Sequence, residues 1–159
     1  MIRARRLKTL FLSLTLCMPA FVLAAEPAQA TASPVDDTCM VAVDGKQEPA
    51  VAFTAGHYGA GHFKQDRVLA LLDKVIARGC PIDKPNSTGA TALNLAILME
   101  EPDLVRYLLK AGSNAKQLLA VDKPWAKGMN SLGLAQLTDK RKGTENSRQI
   151  VELLEQATH

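Results

Sequence analysis

Three stretches of the chain share one pattern of apolar and polar positions. Leu71-Leu72-Asp73-Lys74-Val75-Ile76-Ala77-Arg78-Gly79 superposes on Leu104-Val105-Arg106-Tyr107-Leu108-Leu109-Lys110-Ala111-Gly112, and their glycines lie 33 residues apart. A third copy is Ile150-Val151-Glu152-Leu153-Leu154-Glu155-Gln156-Ala157. Apolar residues at i, i+1, i+4 and i+5 make a stripe too wide for a lone surface helix, so each copy predicts a helix packed on more than one neighbour. Gly79 and Gly112 fall where such a helix ends in a left-handed residue. A shorter helix precedes each copy. Thr91-Ala92-Leu93-Asn94-Leu95-Ala96 aligns with Asn130-Ser131-Leu132-Gly133-Leu134-Ala135, and the apolar face recurs with it. A weaker first copy is Glu48-Pro49-Ala50-Val51-Ala52-Phe53, where Pro49 suits a first helical turn. The pattern predicts an all-α chain of three helix pairs in series, organised from about Cys39 onward.

The central unit carries a family resemblance. Asn86-Ser87-Thr88-Gly89-Ala90-Thr91-Ala92-Leu93-Asn94-Leu95-Ala96, followed by residues 103–112 and Ser113-Asn114-Ala115, resembles an ankyrin repeat. That family has a glycine turn, a T-P-L-H-x-A helix, and a longer helix ending L-L-x-x-G-A-D. Gly89, Thr91, Leu93, Ala96, Leu108-Leu109 and Gly112 keep the pattern, while Ala92 replaces the proline and Asn94 the histidine. An asparagine amide still hydrogen-bonds a neighbouring loop, with a different reach. The resemblance covers residues 39–159, most specifically 84–116. It implies an ankyrin-repeat solenoid of about three helix-turn-helix units with degenerate end repeats. The first unit has surplus residues between Gly61-His62 and Gly79, predicting an extended or kinked second helix. The third has insertions at 123–127 and 139–146. Irregular ends suit a solenoid, whose terminal faces must be polar or covered; Glu155 and Gln156 read as part of such a cap. Met99-Glu100-Glu101, between two helices, reads as solvated surface.

The first residues change the compartment. Arg3, Arg5, Arg6 and Lys8 precede an apolar run from Leu7 to Leu23, and Ala24-Ala25 and Ala28-Gln29-Ala30 follow. This is the layout of a secretory signal peptide, expected over residues 1–25 with cleavage as late as 30. A membrane anchor fits less well, because Pro19 interrupts a run already short for a span. Leu16 disfavours a lipoprotein box at Cys17, and Lys8 disfavours a twin-arginine signal after Arg5-Arg6. The style of the peptide points to the bacterial periplasm, with no membrane attachment after cleavage. Residues 26–38, rich in Ala, Pro, Ser and Thr, read as a disordered leader.

Export alters the charge argument. The chain holds 19 Lys+Arg against 16 Asp+Glu, a net charge of +3. Without the four basic residues of the signal, 15 positive groups face 16 negative ones, a net charge of −1. No basic patch then remains to suggest nucleic acid. Of three cysteines, Cys17 leaves with the signal, and Cys39 and Cys80 are a candidate disulfide in an oxidising compartment. Two free, partly buried thiols are the alternative.

Candidate chemistry is sparse. His57 and His62 flank Tyr58-Gly59-Ala60-Gly61, and Cys80 could fold nearby, but this spacing matches no standard zinc pattern. The glycines lack the strand, Lys and Ser/Thr of a phosphate loop. No nucleophilic or paired-carboxylate spacing points to an enzyme. The sequence therefore predicts no enzyme, cofactor or metal, and a monomer when free. Its expected role is to bind a partner protein, since stacked repeats expose an extended concave face and connecting turns. The turns are 84–89 and 121–129, and the candidate partner-binding residues are Asn86, Asn94, Lys123 and Trp125. Trp125 is either an interface anchor or a side chain folded back on the third unit. Two roles fit the exported ankyrin resemblance. One is an adaptor or stabiliser, including support of oxidative-stress defence. The other is an immunity protein that blocks a toxin delivered to the periplasm. A metal-binding accessory comes third.

Overall fold

A computed structural model describes residues 37–159. The expected signal peptide, and the leader up to residue 36, lie outside the described residues. Asp37 and Thr38 form a turn into Cys39. An antiparallel hairpin follows, β1 (Met40–Val43) and β2 (Lys46–Pro49), in register from Met40 opposite Pro49 to Val43 opposite Lys46. Asp44 and Gly45 join the strands with φ of 47° and 77°. Two left-handed residues in a two-residue loop match the strands' own twist, which is why Asp-Gly serves there.

The rest of the described chain is helical: α1 (Ala50–Ala55), α2 (Gln65–Ala77), α3 (Ala92–Leu98), α4 (Pro102–Lys110), α5 (Ser131–Lys142) and α6 (Glu145–Thr158). Helix α1 packs on α2, α3 on α4 and α5 on α6, while α3 lies against both α1 and α5, and α4 against α6. The apolar stripes meet in one core. Leu72, Leu93, Ile97, Leu104, Leu108, Leu134, Ile150 and Leu154 are completely buried there. The surplus residues of the first unit lengthen α2 to 13 residues against the 9 of α4. Those of the third lengthen α5 to 12 against the 7 of α3.

Local chemistry sets the helix ends. The Thr91 hydroxyl accepts the Asn94 N–H at 3.2 Å, and the Asn94 side-chain oxygen accepts the Thr91 N–H at 3.1 Å. This capping box satisfies two N–H groups that the first turn of α3 leaves without helical partners. In α5 the Asn130 side chain accepts the Gly133 N–H at 3.0 Å, but glycine has no side chain to return the bond. Pro49 stands just ahead of α1, not within its first turn. Gly79 and Gly112 follow their helices with φ of 84° and 101°, as the pattern predicts.

Polar ties join neighbouring pairs along their outer parts. The Tyr107 hydroxyl donates to Asp73 Oδ1 at 2.7 Å, and burial together with this carboxylate holds the phenol far above its usual range. Asp83 accepts the Asn114 N–H at 2.9 Å. Gly59 leaves room for the Glu101 carboxylate, which a Cβ there would overlap. Glu100 departs from the expectation of solvated surface. Its carboxylate accepts from Lys142 Nζ and from the Thr144 hydroxyl, and its backbone oxygen accepts from Asn146 Nδ2 at 3.0 Å. The residue has φ of 57°, disfavoured for glutamate, and these bonds hold it there.

Cys39 and Cys80 are joined, with their Cα atoms 5.3 Å apart and a sequence separation of 41. The bridge ties the hairpin to the turn after α2. Val41, 3% exposed, is thereby held on the core next to α1.

Candidate partner-binding edge

Helices α1, α3 and α5, the first of each pair, are each entered through a turn, and the three turns touch in sequence. The first is the β1–β2 hairpin. The second is organised by Asn86, whose side-chain oxygen accepts the N–H groups of Thr88 and Ala90, both at 3.0 Å, and the Thr88 hydroxyl at 2.7 Å. Its backbone N–H donates to the Ala90 oxygen at 2.9 Å and closes the turn. The third runs from Leu118, bridged to Asn130, through a single 3-10 turn at Pro124–Ala126.

Two contacts align these turns into one edge. The Ser87 N–H donates to Glu48 Oε2 at 3.0 Å, linking the first to the second. Gly89 lies against the third, and a Cβ on it would stand 2.5 Å from the Ala120 carbonyl oxygen. With φ of 85° as well, the position has two separate reasons to be glycine.

The third turn is the most exposed of the three in apolar terms. Ala126 is completely buried and pins the loop, with the Ala126 N–H on the Lys123 oxygen and the Met129 N–H on the Ala126 oxygen, both at 3.0 Å. The adjacent Trp125 is 46% exposed, and Leu118 is 61% exposed. Lys123 and Lys127 are exposed beside them. A shallow open concavity runs from Leu118 past Val121 and Lys123 to Gly128.

The four residues singled out from the sequence therefore part company. Lys123 and Trp125 share the exposed loop. Asn86 lies on the same edge, half-buried, with its side-chain oxygen holding its own turn. Asn94 is 3% exposed and belongs to the interior. Its amide nitrogen donates to the Ser131 hydroxyl at 3.1 Å, reaching the first residue of α5. That buried bond joins two units and leaves no free surface for a partner. Leu118 was missed, and its only sequence signal is an apolar residue beside an insertion.

His57 and His62 lie off the Trp125 loop. His57 Nδ1 is 2.8 Å from the Phe53 carbonyl oxygen, while His62 is exposed. The Cys80 sulfur is held in the disulfide, which removes the thiolate from the His57, His62 and Cys80 combination. Burial, then the carboxylates of Asp103 and Glu101, push the Tyr58 phenol up. Burial, then Asp103, raises the Glu101 carboxyl. Both shifts arise where the turn after α1 packs on the start of α4, away from the partner edge.

No family model matches the chain. The chain is similar to the potassium channel AKT1 of Arabidopsis thaliana, with 31% identity over 62 residues. That stretch is 39% of this chain and spans only 7% of the channel's length.

Proposed function

We propose that this is an exported ankyrin-repeat protein that captures a partner protein along the edge of its three entry turns. Trp125 and Leu118 are the apolar anchors, Lys123 lies on the same loop, and Asn86 belongs to the neighbouring turn of the edge. The observation that carries the reading is the exposure of Trp125 and Leu118 on a loop that Ala126 fixes in place. A large aromatic side chain left outside a well-packed fold is the usual chemistry of an interface anchor. A pinned loop presents it with little ordering to be lost on binding.

The ankyrin part of the proposal draws on the glycine spacing and on the succession of turn, short helix and longer helix. Export to the periplasm draws on the basic and apolar residues that open the chain. In that compartment an adaptor and an immunity protein need the same surface and differ in what they hold.

The test is retrieval from periplasmic extract with the wild-type protein and with Trp125→Ala as baits. A partner held by the wild type and lost by a stably folded Trp125→Ala supports the edge. Its chemical nature, a toxin or a resident protein, then separates the two roles. Equal retrieval by both baits refutes the edge.

A further inference from the structure

A second concavity lies at the other end of the described chain, where α1 and α2 are the first helix pair among the described residues. Phe53, Phe63, Val68 and Leu71 wall it, Val43 of the hairpin closes one side, and its volume is about 330 Å³. Phe63 is 50% exposed and Leu71 49%, a large uncovered apolar area for two neighbouring side chains. The His57 ring stands edge-on between Phe53 and Phe63, with centroids at 4.6 and 5.4 Å. Its Nδ1 contact with the Phe53 oxygen fixes the ring, so the aromatic wall is preformed.

The rim carries a cation. Arg67 is exposed on the first turn of α2, and its guanidinium has no carboxylate partner among the described residues. The adjacent Asp66 already accepts the Arg67 backbone N–H at 2.9 Å. From Arg67 the surface continues along α2 past Leu71 to Lys74, so the groove has an apolar floor and a positive flank.

We propose that this groove binds a small amphipathic carboxylate of the single-chain fatty-acid class. The apolar tail lies between Phe53, Phe63 and Leu71, and the carboxylate pairs with the Arg67 fork, whose geometry suits two parallel N–H···O bonds. The volume is at the small end of ligand sites, which fits one chain and not a two-chain lipid. The groove borders the first turn of the edge through Val43, but it shares no residue with the Trp125 loop, so the decanoate titration reads it separately from partner retrieval.

Isothermal titration with decanoate, below its micelle concentration, tests this on the protein expressed from its full reading frame. Decanol serves as the uncharged counterpart of equal length. One saturable decanoate site is expected, with decanol at least tenfold weaker. Arg67→Gln, at an exposed position, is expected to bring decanoate down to the decanol level and leave decanol unchanged. Leu71→Ser is expected to weaken both. Equal binding of the two probes, or an unchanged decanoate affinity in Arg67→Gln, overturns the proposal. So does a dimer in sedimentation that admits no decanoate, because a second copy then fills the groove.

Discussion

Breaking the Cys39–Cys80 bridge should remove a large share of the protein's stability. A cross-link between residues 41 apart in sequence restricts the unfolded chain, and loop closure of that length is worth about 4 kcal/mol in the chain-entropy model. Small domains have total stabilities of about 5–15 kcal/mol, so this fraction is decisive. The native structure adds a local reason. A two-stranded hairpin is marginal by itself, and β1–β2 is held against α1 by Val41, by the bridge and by the Ala50 N–H on the Cys39 oxygen at 2.9 Å. The comparison is urea unfolding, followed by circular dichroism, of the oxidised protein and of the same protein reduced with dithiothreitol. Reduction keeps every side chain, whereas replacing the buried Cys80 would add a packing loss. A fall of about 2–4 kcal/mol is expected. A difference below about 1 kcal/mol would falsify the reasoning, as would two titratable thiols in denatured protein that has never been reduced.

The remaining predictions concern the core, one carboxylate and the first residues. Leu108→Ala should destabilise by about 2–5 kcal/mol, because a fully buried leucine leaves a cavity between neighbouring helices; a smaller loss in urea unfolding contradicts that packing. The hydrogen bonds from Lys142 and then Thr144 hold the Glu100 carboxyl below its ordinary value of 4.5, outweighing the effect of burial. Its stabilisation is therefore complete above 4.5 and lost as acidity carries it through the lowered folded value. Glu100→Gln should be less stable at neutral pH, with a shallower decline in acid, and parallel urea midpoints for the two proteins across that range would refute the clamp. Export should give an unlipidated protein cleaved between Ala24 and Thr31, and a mass retaining Met1 or a diacylated Cys17 is the contrary result.

The helices were legible because their signal is periodic and local. The pairing of Leu72 with Val75, or Leu104 with Leu108, is written in spacing alone, as are the glycines that end α2 and α4. The hairpin was not, since four-residue strands with one buried valine carry little alternation, and they depend on a distant cysteine. Asn94 looked available because it is a polar side chain on a short helix expected to line an exposed concave face. Only the fold places Ser131 beside it and closes it off from solvent. Glu100 looked solvated for the converse reason, as its partners Lys142, Thr144 and Asn146 lie more than 40 residues ahead. The groove around Phe63 and Leu71 depends on what does not pack there, which no local pattern encodes. Trp125 could be framed as two alternatives from sequence, and its exposure favours the outward one.

The central claim is that the turn edge is a binding surface separate from the core. It is tested most directly by one paired measurement on Trp125→Ala: thermal midpoint, and affinity for the partner retrieved by the wild type. The expected result is a midpoint close to that of the wild type with binding weaker by ~2 kcal/mol, roughly thirtyfold. A variant that unfolds as readily as Leu108→Ala places the tryptophan in the core. One that binds as tightly as the wild type places the surface elsewhere, and either outcome contradicts the account.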